Sequence, residues 1–356
     1  MSSKDKFKIT IKEENSLESL NIVDPRNILD DIYLIIEEND LTIYNFKSNQ
    51  KLQTLKYHSN TISKIHLCKK PISIDNILLI PSNNIFFVLS SSLDKKFAMH
   101  KIVYKDNIFQ FELIAEYKPT KDEINGVIQI ENGQFIVSTR DQHIILFSQY
   151  INNKNFNKLY EIEKPWPMEA LSPFEIKNNI IGVYWIFDDF ENDEIYSDND
   201  KVDKDHSNDG LYIYEIKNNK IYEIKILKID PEDYHSFIYL KNVLIMKCYK
   251  KYEKLILTLD KINFQIINNL TYTDDFSQSF DISSFDNNFF ILVIYEVDKP
   301  IIFKIYDNKT LKKVYESESE KKYFKDKNNV WFYSLYKLKN NEYLLKNLII
   351  KIEKNK

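Results

Sequence analysis

Six histidines, one acidic run and a tryptophan between two prolines are the residues from which chemistry could be built. The histidines are His58, His66, His100, His143, His206 and His235. None stand in HxxxH, HExxH or HxH spacing, so no local motif presets a zinc site and any ligand set would have to converge over long range. A GxSxG elbow, a phosphate-binding P-loop and a GxGxxG turn are all missing. The four glycines, Gly126, Gly133, Gly182 and Gly210, could hardly supply them. No catalytic, cofactor-binding or metal-ligating residue is therefore expected, and no cofactor.

The acidic run is Asp188–Asp209, DDFENDEIYSDNDKVDKDHSND, where ten acidic residues are opposed only by Lys201 and Lys204. Such composition favours a solvated, disordered loop. One alternative is a docking segment for a partner with a basic patch, with Asp188, Asp189, Glu191, Asp193 and Glu194 in contact. Another is a loose Ca²⁺ site through Asp198, Asp200, Asp203 and Asp205, although the central Gly and twelfth-position Glu of an EF-hand loop are missing. Trp166 lies in KPWPMEALSPF, Lys164–Phe174, where its flanking prolines hold an extended backbone with little entropy left to lose. It either packs over a junction between repeats or, if exposed, anchors a partner, since Trp is enriched among binding hot spots.

The elements that must position these residues read as strands. Aromatic residues make up 14% of the chain, with 24 Tyr and 23 Phe, and with Ile and Val they supply strand formers and core material. With so few glycines, the tight turns of a β-rich chain need another residue at positive φ, and Asn is the next best choice. Paired Asn at 83–84, 152–153, 178–179, 218–219, 268–269, 287–288, 328–329 and 340–341 mostly separate two alternating apolar runs and so read as turns.

Those runs group into sets of four. The first covers Leu17–Leu55, with Asp24-Pro25-Arg26-Asn27 as a break. The second is Ile62–Leu67, Ile85–Ser90, Phe97–Tyr104 and Phe109–Tyr117, with an extra loop around Pro71–Pro81. The third is Val127–Ile130, Phe135–Ser138, Ile144–Phe147 and Leu159–Ile162. A fourth, Leu171–Leu227, carries the acidic insertion between its second and third strands. The fifth and sixth cover Ser236–Leu270 and Phe280–Tyr315. The seventh, Trp331–Ile352, holds only three strands, and Lys6–Lys12 (KFKITIK) stands unassigned at the N-terminus.

One stretch gives the pattern a family likeness. Leu41–His66, LTIYNFKSNQKLQTLKYHSNTISKIH, resembles a repeat of the WD-repeat β-propellers: Tyr44-Asn45 stands at the Trp-Asp position and Tyr57-His58 at Gly-His. Lys47-Ser48-Asn49-Gln50 is the turn between, with Asn49 left-handed. ENGQFIVSTRDQHIILFS looks like another unit, with Asp141 at the family's turn Asp and Phe147-Ser148 replacing Trp-Asp. Asp94 holds the turn position in the second set, six residues before His100 at the Trp position; in the first set it holds Glu38. The resemblance implies a hydrogen-bonded His, Asp and Ser or Thr set within a blade, kept as His58 with Asp94 and in part as Asp141 with Ser138.

It also implies an all-β fold, a β-propeller of seven four-stranded blades in one domain spanning residues 1–356. Its last blade would be closed by KFKITIK, which leaves few exposed edges. The acidic loop would emerge on the same face as the connections holding Tyr57-His58 and Trp166. An irregular pair of β-sandwiches, or six or eight blades, also accommodates the strand count.

The net charge of −4, interleaved signs and only two arginines, Arg26 and Arg140, argue against nucleic acid and phosphate partners. MSSKDKFK has no apolar core and no apolar run reaches membrane length, so a cytoplasmic protein with no membrane partner is expected. Cys68 and Cys248 are compatible with a disulfide, but two buried free thiols are expected. The function expected is a non-catalytic scaffold binding other proteins. The alternative is an enzyme or small-ligand binder with its site at the central channel.

Overall fold

Where apolar residues run together, strands are buried on both faces; where they thin out, strands lie at the outer edge. A computed structural model describes residues 7–13, 23–118, 122–164, 168–187, 210–228, 237–240, 243–250, 253–272, 279–295, 299–322, 335–338, 341–345 and 348–354. They form seven small sheets, and the fold class is that of an all-β, seven-bladed β-propeller with four-stranded blades. Two compact units share the chain: Ile28–Asp230 and, in the other, Met1–Asn27 with Pro231–Lys356.

The N-terminal strand β1 (Phe7–Glu13) belongs to the last sheet and is described with it. Blade one is β2 (Val23–Leu29), β3 (Ile32–Glu37), β4 (Asp40–Asn45) and β5 (Gln50–Lys56), in that spatial order. Asp24-Pro25-Arg26-Asn27 does not break this blade as expected, for it lies inside β2. A proline is tolerated there because β2 is the edge of its sheet and has N–H positions that no ladder uses.

Blade two uses β6 (Ile62–Cys68), β9 (Ile85–Ser92), β10 (Phe97–Lys105) and β11 (Ile108–Tyr117). The expected loop around Pro71–Pro81 contains a hairpin instead, β7 (Ile72–Ile74) and β8 (Ile77–Leu79). It joins the sheet of blade three, which is β12 (Ile124–Gln129), β13 (Phe135–Thr139), β14 (His143–Asn152) and β15 (Asn155–Glu163). Blade four has its first strand split into β16 (Met168–Ala170) and β17 (Phe174–Lys177) around Pro173. Both pair with β18 (Ile180–Phe187), followed by β19 (Gly210–Lys217) and β20 (Lys220–Leu227).

In the second unit, blade five is β21 (Phe237–Tyr239), β22 (Val243–Lys250), β23 (Glu253–Asp260) and β24 (Ile266–Tyr272). Blade six is β25 (Ser279–Ser284), β26 (Phe289–Tyr295), β27 (Pro300–Asp307) and β28 (Lys313–Lys322). Blade seven holds β29 (Leu335–Lys337), β30 (Glu342–Leu345) and β31 (Leu348–Lys354). As KFKITIK predicts, β1 supplies the missing strand, antiparallel to β31 in register from Phe7↔Lys354 to Glu13↔Leu348.

Within each unit the core lies between consecutive blades. Phe97, Phe135, Phe147 and Phe156 fill the space between blades two and three, and Trp185 and Tyr214 that between blades three and four. Phe7, Phe285, Phe303 and Tyr343 pack blades six and seven together. Second strands such as β3 and β13 are buried almost throughout, whereas the outer strand β5 is largely exposed.

Asparagine does replace glycine at the turns. Asn49, Asn178, Asn179, Asn218, Asn219, Asn153 and Asn341 all have positive φ. The pairs 178–179 and 218–219 are two-residue hairpin turns with both residues left-handed, the geometry that matches strand twist. The pairs 83–84 and 287–288 lie between strands without positive φ, and Asn268-Asn269 lies within β24. Residues 328–329 fall outside the described residues.

Candidate functional site

In the unit Ile28–Asp230, the turns joining second and third strands meet the connections between blades. Ile62 N–H donates to the Glu38 carbonyl at 2.8 Å, Leu93 to Thr61 at 2.9 Å, Arg140 to Glu123 at 2.9 Å and Lys164 to Gln142 at 3.1 Å. One end of these blades is therefore assembled from the elements that carry Glu38, His58, Asp94, Arg140 and Lys164.

His58 is the centre of that end in blade two. Its Nδ1 lies 2.9 Å from Asp94 Oδ2 and its Nε2 2.9 Å from Ser90 Oγ. A carboxylate can only accept, so Nδ1 donates to Asp94 and Nε2 accepts the Ser90 hydroxyl of a neutral ring. Burial holds the His58 pKa below its ordinary value, and the neighbouring Asp94 only partly opposes it. Asp94 also accepts the backbone N–H groups of Ser59 at 3.1 Å and Lys96 at 3.1 Å, tying the turn to the connection.

This is the expected His–Asp pair with a serine added, in the order a serine hydrolase uses. A hydrolase serine must reach substrate, yet Ser90 is 0% and His58 4% exposed. The set therefore holds blade two together and cannot perform acyl transfer.

Around it, the Tyr57 ring stands edge-on to both His58 and His100, with centroids 4.9 Å away in each case. The Tyr57 hydroxyl donates to Glu116. Burial, then that carboxylate, pushes the phenol pKa upward. His100 is buried in the position expected for Trp, and neither ring nitrogen has a hydrogen-bond partner among the described residues. Burial first, and His58 second, lower its pKa to about 3.

Blade three departs from expectation. Ser138 Oγ and Asp141 Oδ1 have no hydrogen-bond partner among the described residues, so they do not form the expected pair. The neighbouring Arg140 makes the link instead, its Nη1 donating to Glu123 Oε2 at 3.3 Å beside the backbone bond between the same two residues. In blade one, Asn45 Oδ1 accepts the N–H groups of Lys47 and Ser48 at 2.9 and 3.0 Å, capping the turn that holds left-handed Asn49.

The residues expected to bind a partner, Trp166, Asp188, Asp189, Glu191, Asp193 and Glu194, lie outside the described residues, as do Asp198, Asp200, Asp203, Asp205, His206 and His235. Their flanks are described. Met168, just after the Trp166 segment, pairs with Phe187, just before the acidic run. Gly210, just after that run, pairs with Trp185. Both segments thus start from adjacent strand ends of blade four, beside Lys164, whose Nζ is 2.7 Å from Glu223 and 4.5 Å above the Tyr212 ring.

The feature missed from sequence is the β7–β8 hairpin. It runs parallel to the far end of β14, Ser73 opposite Tyr150 and Ile74 opposite Ile151. Asn153 N–H donates to Asp75 Oδ1 at 2.8 Å, and Gln129 Oε1 accepts from Lys69 and Lys70 at 3.1 and 2.9 Å. Ile72 is buried under it, while Ile77, Leu78 and Ile80 are 64%, 63% and 63% exposed. The signal was present: two short apolar runs flank Asp75-Asn76, which have φ values of 48° and 67° as a two-residue hairpin turn requires.

Among the described residues no three His, Cys, Asp or Glu side chains converge as a metal site, and no helix is long and apolar enough to cross a membrane. Cys68 is a buried free thiol, its pKa raised by burial. No model of a known protein family matches the chain, and a search of curated proteins returns no match.

Proposed function

We propose that the protein is a non-catalytic, cytoplasmic platform that holds other proteins in a larger assembly, built as a degenerate relative of the WD-repeat propellers. The observation that carries the platform reading is the β7–β8 hairpin, an insertion between two strands of blade two that leaves Ile77, Leu78 and Ile80 largely exposed. Grouped exposed aliphatic side chains are costly in water and mark contact surfaces. The WD-repeat kinship is supported by His58, Ser90 and Asp94, which occupy the positions and make the bonds of that family's blade network. Fold alone does not assign function, so the platform reading rests on the hairpin.

A second contact face is proposed at the opposite end of blade four, for a partner with a basic patch. Its residues are Trp166, Asp188, Asp189, Glu191, Asp193 and Glu194, and its support is the Met168↔Phe187 register that roots both segments side by side.

The test uses the full chain as bait in extract from its source cells, beside an Ile77→Ser/Leu78→Ser/Ile80→Ser variant and Trp166→Ala. A stoichiometric partner should be lost with the triple variant, and the same loss should appear when purified partner and chain are mixed. Identical partners with both variants would overturn the reading.

A further inference from the structure

Between the Asp94 turn of blade two, which carries Lys96, and the β14–β15 turn of blade three, the outer edges of the two blades enclose a groove of about 360 Å³. Lys96, Lys118, Lys154 and Glu116 line its polar part, and Leu113 and Tyr117 its apolar part. That volume falls within the range of binding clefts. Three lysines and one glutamate line it, on a chain whose net charge is −4.

Glu116 is already engaged, by Lys96 at 3.7 Å and by the Tyr57 hydroxyl. Lys118 and Lys154 have no carboxylate partner among the described residues, so the groove keeps an uncompensated positive charge. The three lysines stand on separate segments: the turn before β10, the end of β11 and the turn before β15. They would meet separate groups of a ligand and do not clamp one point.

The wall supplies a second requirement. β11 is the edge of its sheet and bulges at Ile114, so outward N–H and C=O groups without a strand partner among the described residues alternate on either side of that residue, along Ile108–Leu113 and Ala115–Tyr117. Leu113 is exposed beside them, offering an apolar contact between charged positions. We infer that this groove takes an extended acidic peptide from another protein, added as a strand to the edge of β11 with its carboxylates against Lys118 and Lys154. Backbone bonds give such a complex its affinity, and alternate side chains its specificity.

This surface borders the hairpin, whose Asp75 holds the Asn153 amide next to Lys154, but it shares none of Ile77, Leu78, Ile80 or Trp166 with the platform reading, so the two are tested apart. Fluorescence anisotropy on the full chain tests it, using a labelled nonapeptide that alternates Glu with Thr and Val, and its Gln counterpart. The Glu peptide should bind at least about tenfold tighter at low salt, and the difference should shrink as ionic strength rises toward about 0.3 M. Lys118→Glu with Lys154→Glu should abolish the preference, and N-methylation of alternate peptide residues should weaken binding about tenfold. Lys220→Glu with Lys309→Glu, placed elsewhere, should change nothing. Equal binding of the two peptides, or indifference to the charge reversal, would overturn the inference. So would displacement of the peptide by inorganic phosphate at an ionic strength where chloride does not displace it, since that marks a small-anion pocket.

Discussion

His58 Nδ1 and Asp94 Oδ2 meet at 2.9 Å across 36 residues of chain, joining a connection between blades to a turn within the next. The pair is buried, and its geometry uses every polar atom of the imidazole. Asp94→Ala should therefore strand the His58 N–H and release the Ser59 amide, costing about 1–3 kcal/mol in urea unfolding at neutral pH. Because the partners share one network, Asp94→Ala with His58→Ala should cost less than the sum of the two. Strict additivity would mean that the bond contributes nothing to blade two.

His100 sets an acid-sensitive limit. Its folded pKa is lowered to about 3, while an unfolded histidine titrates near 6.5. Between those values the unfolded chain binds a proton that the folded chain refuses, so this residue's contribution to stability is complete above about pH 6.5 and declines as pH falls. His100→Phe should remove that slope, up to about 1.4 kcal/mol per pH unit. It should also raise stability at pH 7.5, since two unpartnered buried nitrogens disappear. Carboxylates titrate in both proteins, so the measurement is the difference between their pH–stability curves. Parallel curves would refute the assignment.

What could be read from sequence follows a physical divide. Strands buried on both faces, such as Leu34-Ile35-Ile36, stand out as apolar runs, and turns stand out through Asn. The His58–Asp94 pair was readable because both residue types kept their places in the repeat. Arg140–Glu123 was not, since an ion pair substitutes for the expected network at neighbouring positions that carry no repeat signal. β2 was hidden by Pro25, which argues against a central strand but is tolerated at an edge. The hairpin's three-residue strands are too short for periodicity to register, and only its turn residues betrayed it.

Gly182 faces Phe174 across the β17–β18 ladder, and a Cβ there would lie 2.4 Å from the ring. The ring is itself buried, so it has little room to retreat. Gly182→Ala should destabilise the protein by about 1–3 kcal/mol through overpacking. Phe174→Leu on that background should recover part of the loss. A neutral Gly182→Ala would show that β17 shifts freely and that blade four is looser than its packing implies.

The N-terminal strand is the most direct test of the blade arrangement. β1 supplies the fourth strand of blade seven, and Phe7 is buried there with its ring edge-on to Phe285 and Phe289, centroids 5.6 and 6.1 Å away. Phe7→Ala removes those contacts and leaves a cavity, so a loss of about 3–5 kcal/mol is expected. Deleting residues 1–13 goes further, uncovering the β31 edge from Leu348 to Lys354. An uncovered edge is a template for pairing between chains, so the truncated protein should both unfold at lower temperature and self-associate. A synthetic peptide of residues 1–14 should reverse both effects when added in trans, and the same peptide with Phe7→Ala should do so more weakly. Unchanged unfolding and solubility after truncation would mean that β1 contributes nothing to blade seven. Destabilisation that the peptide cannot reverse would place the effect elsewhere in residues 1–13.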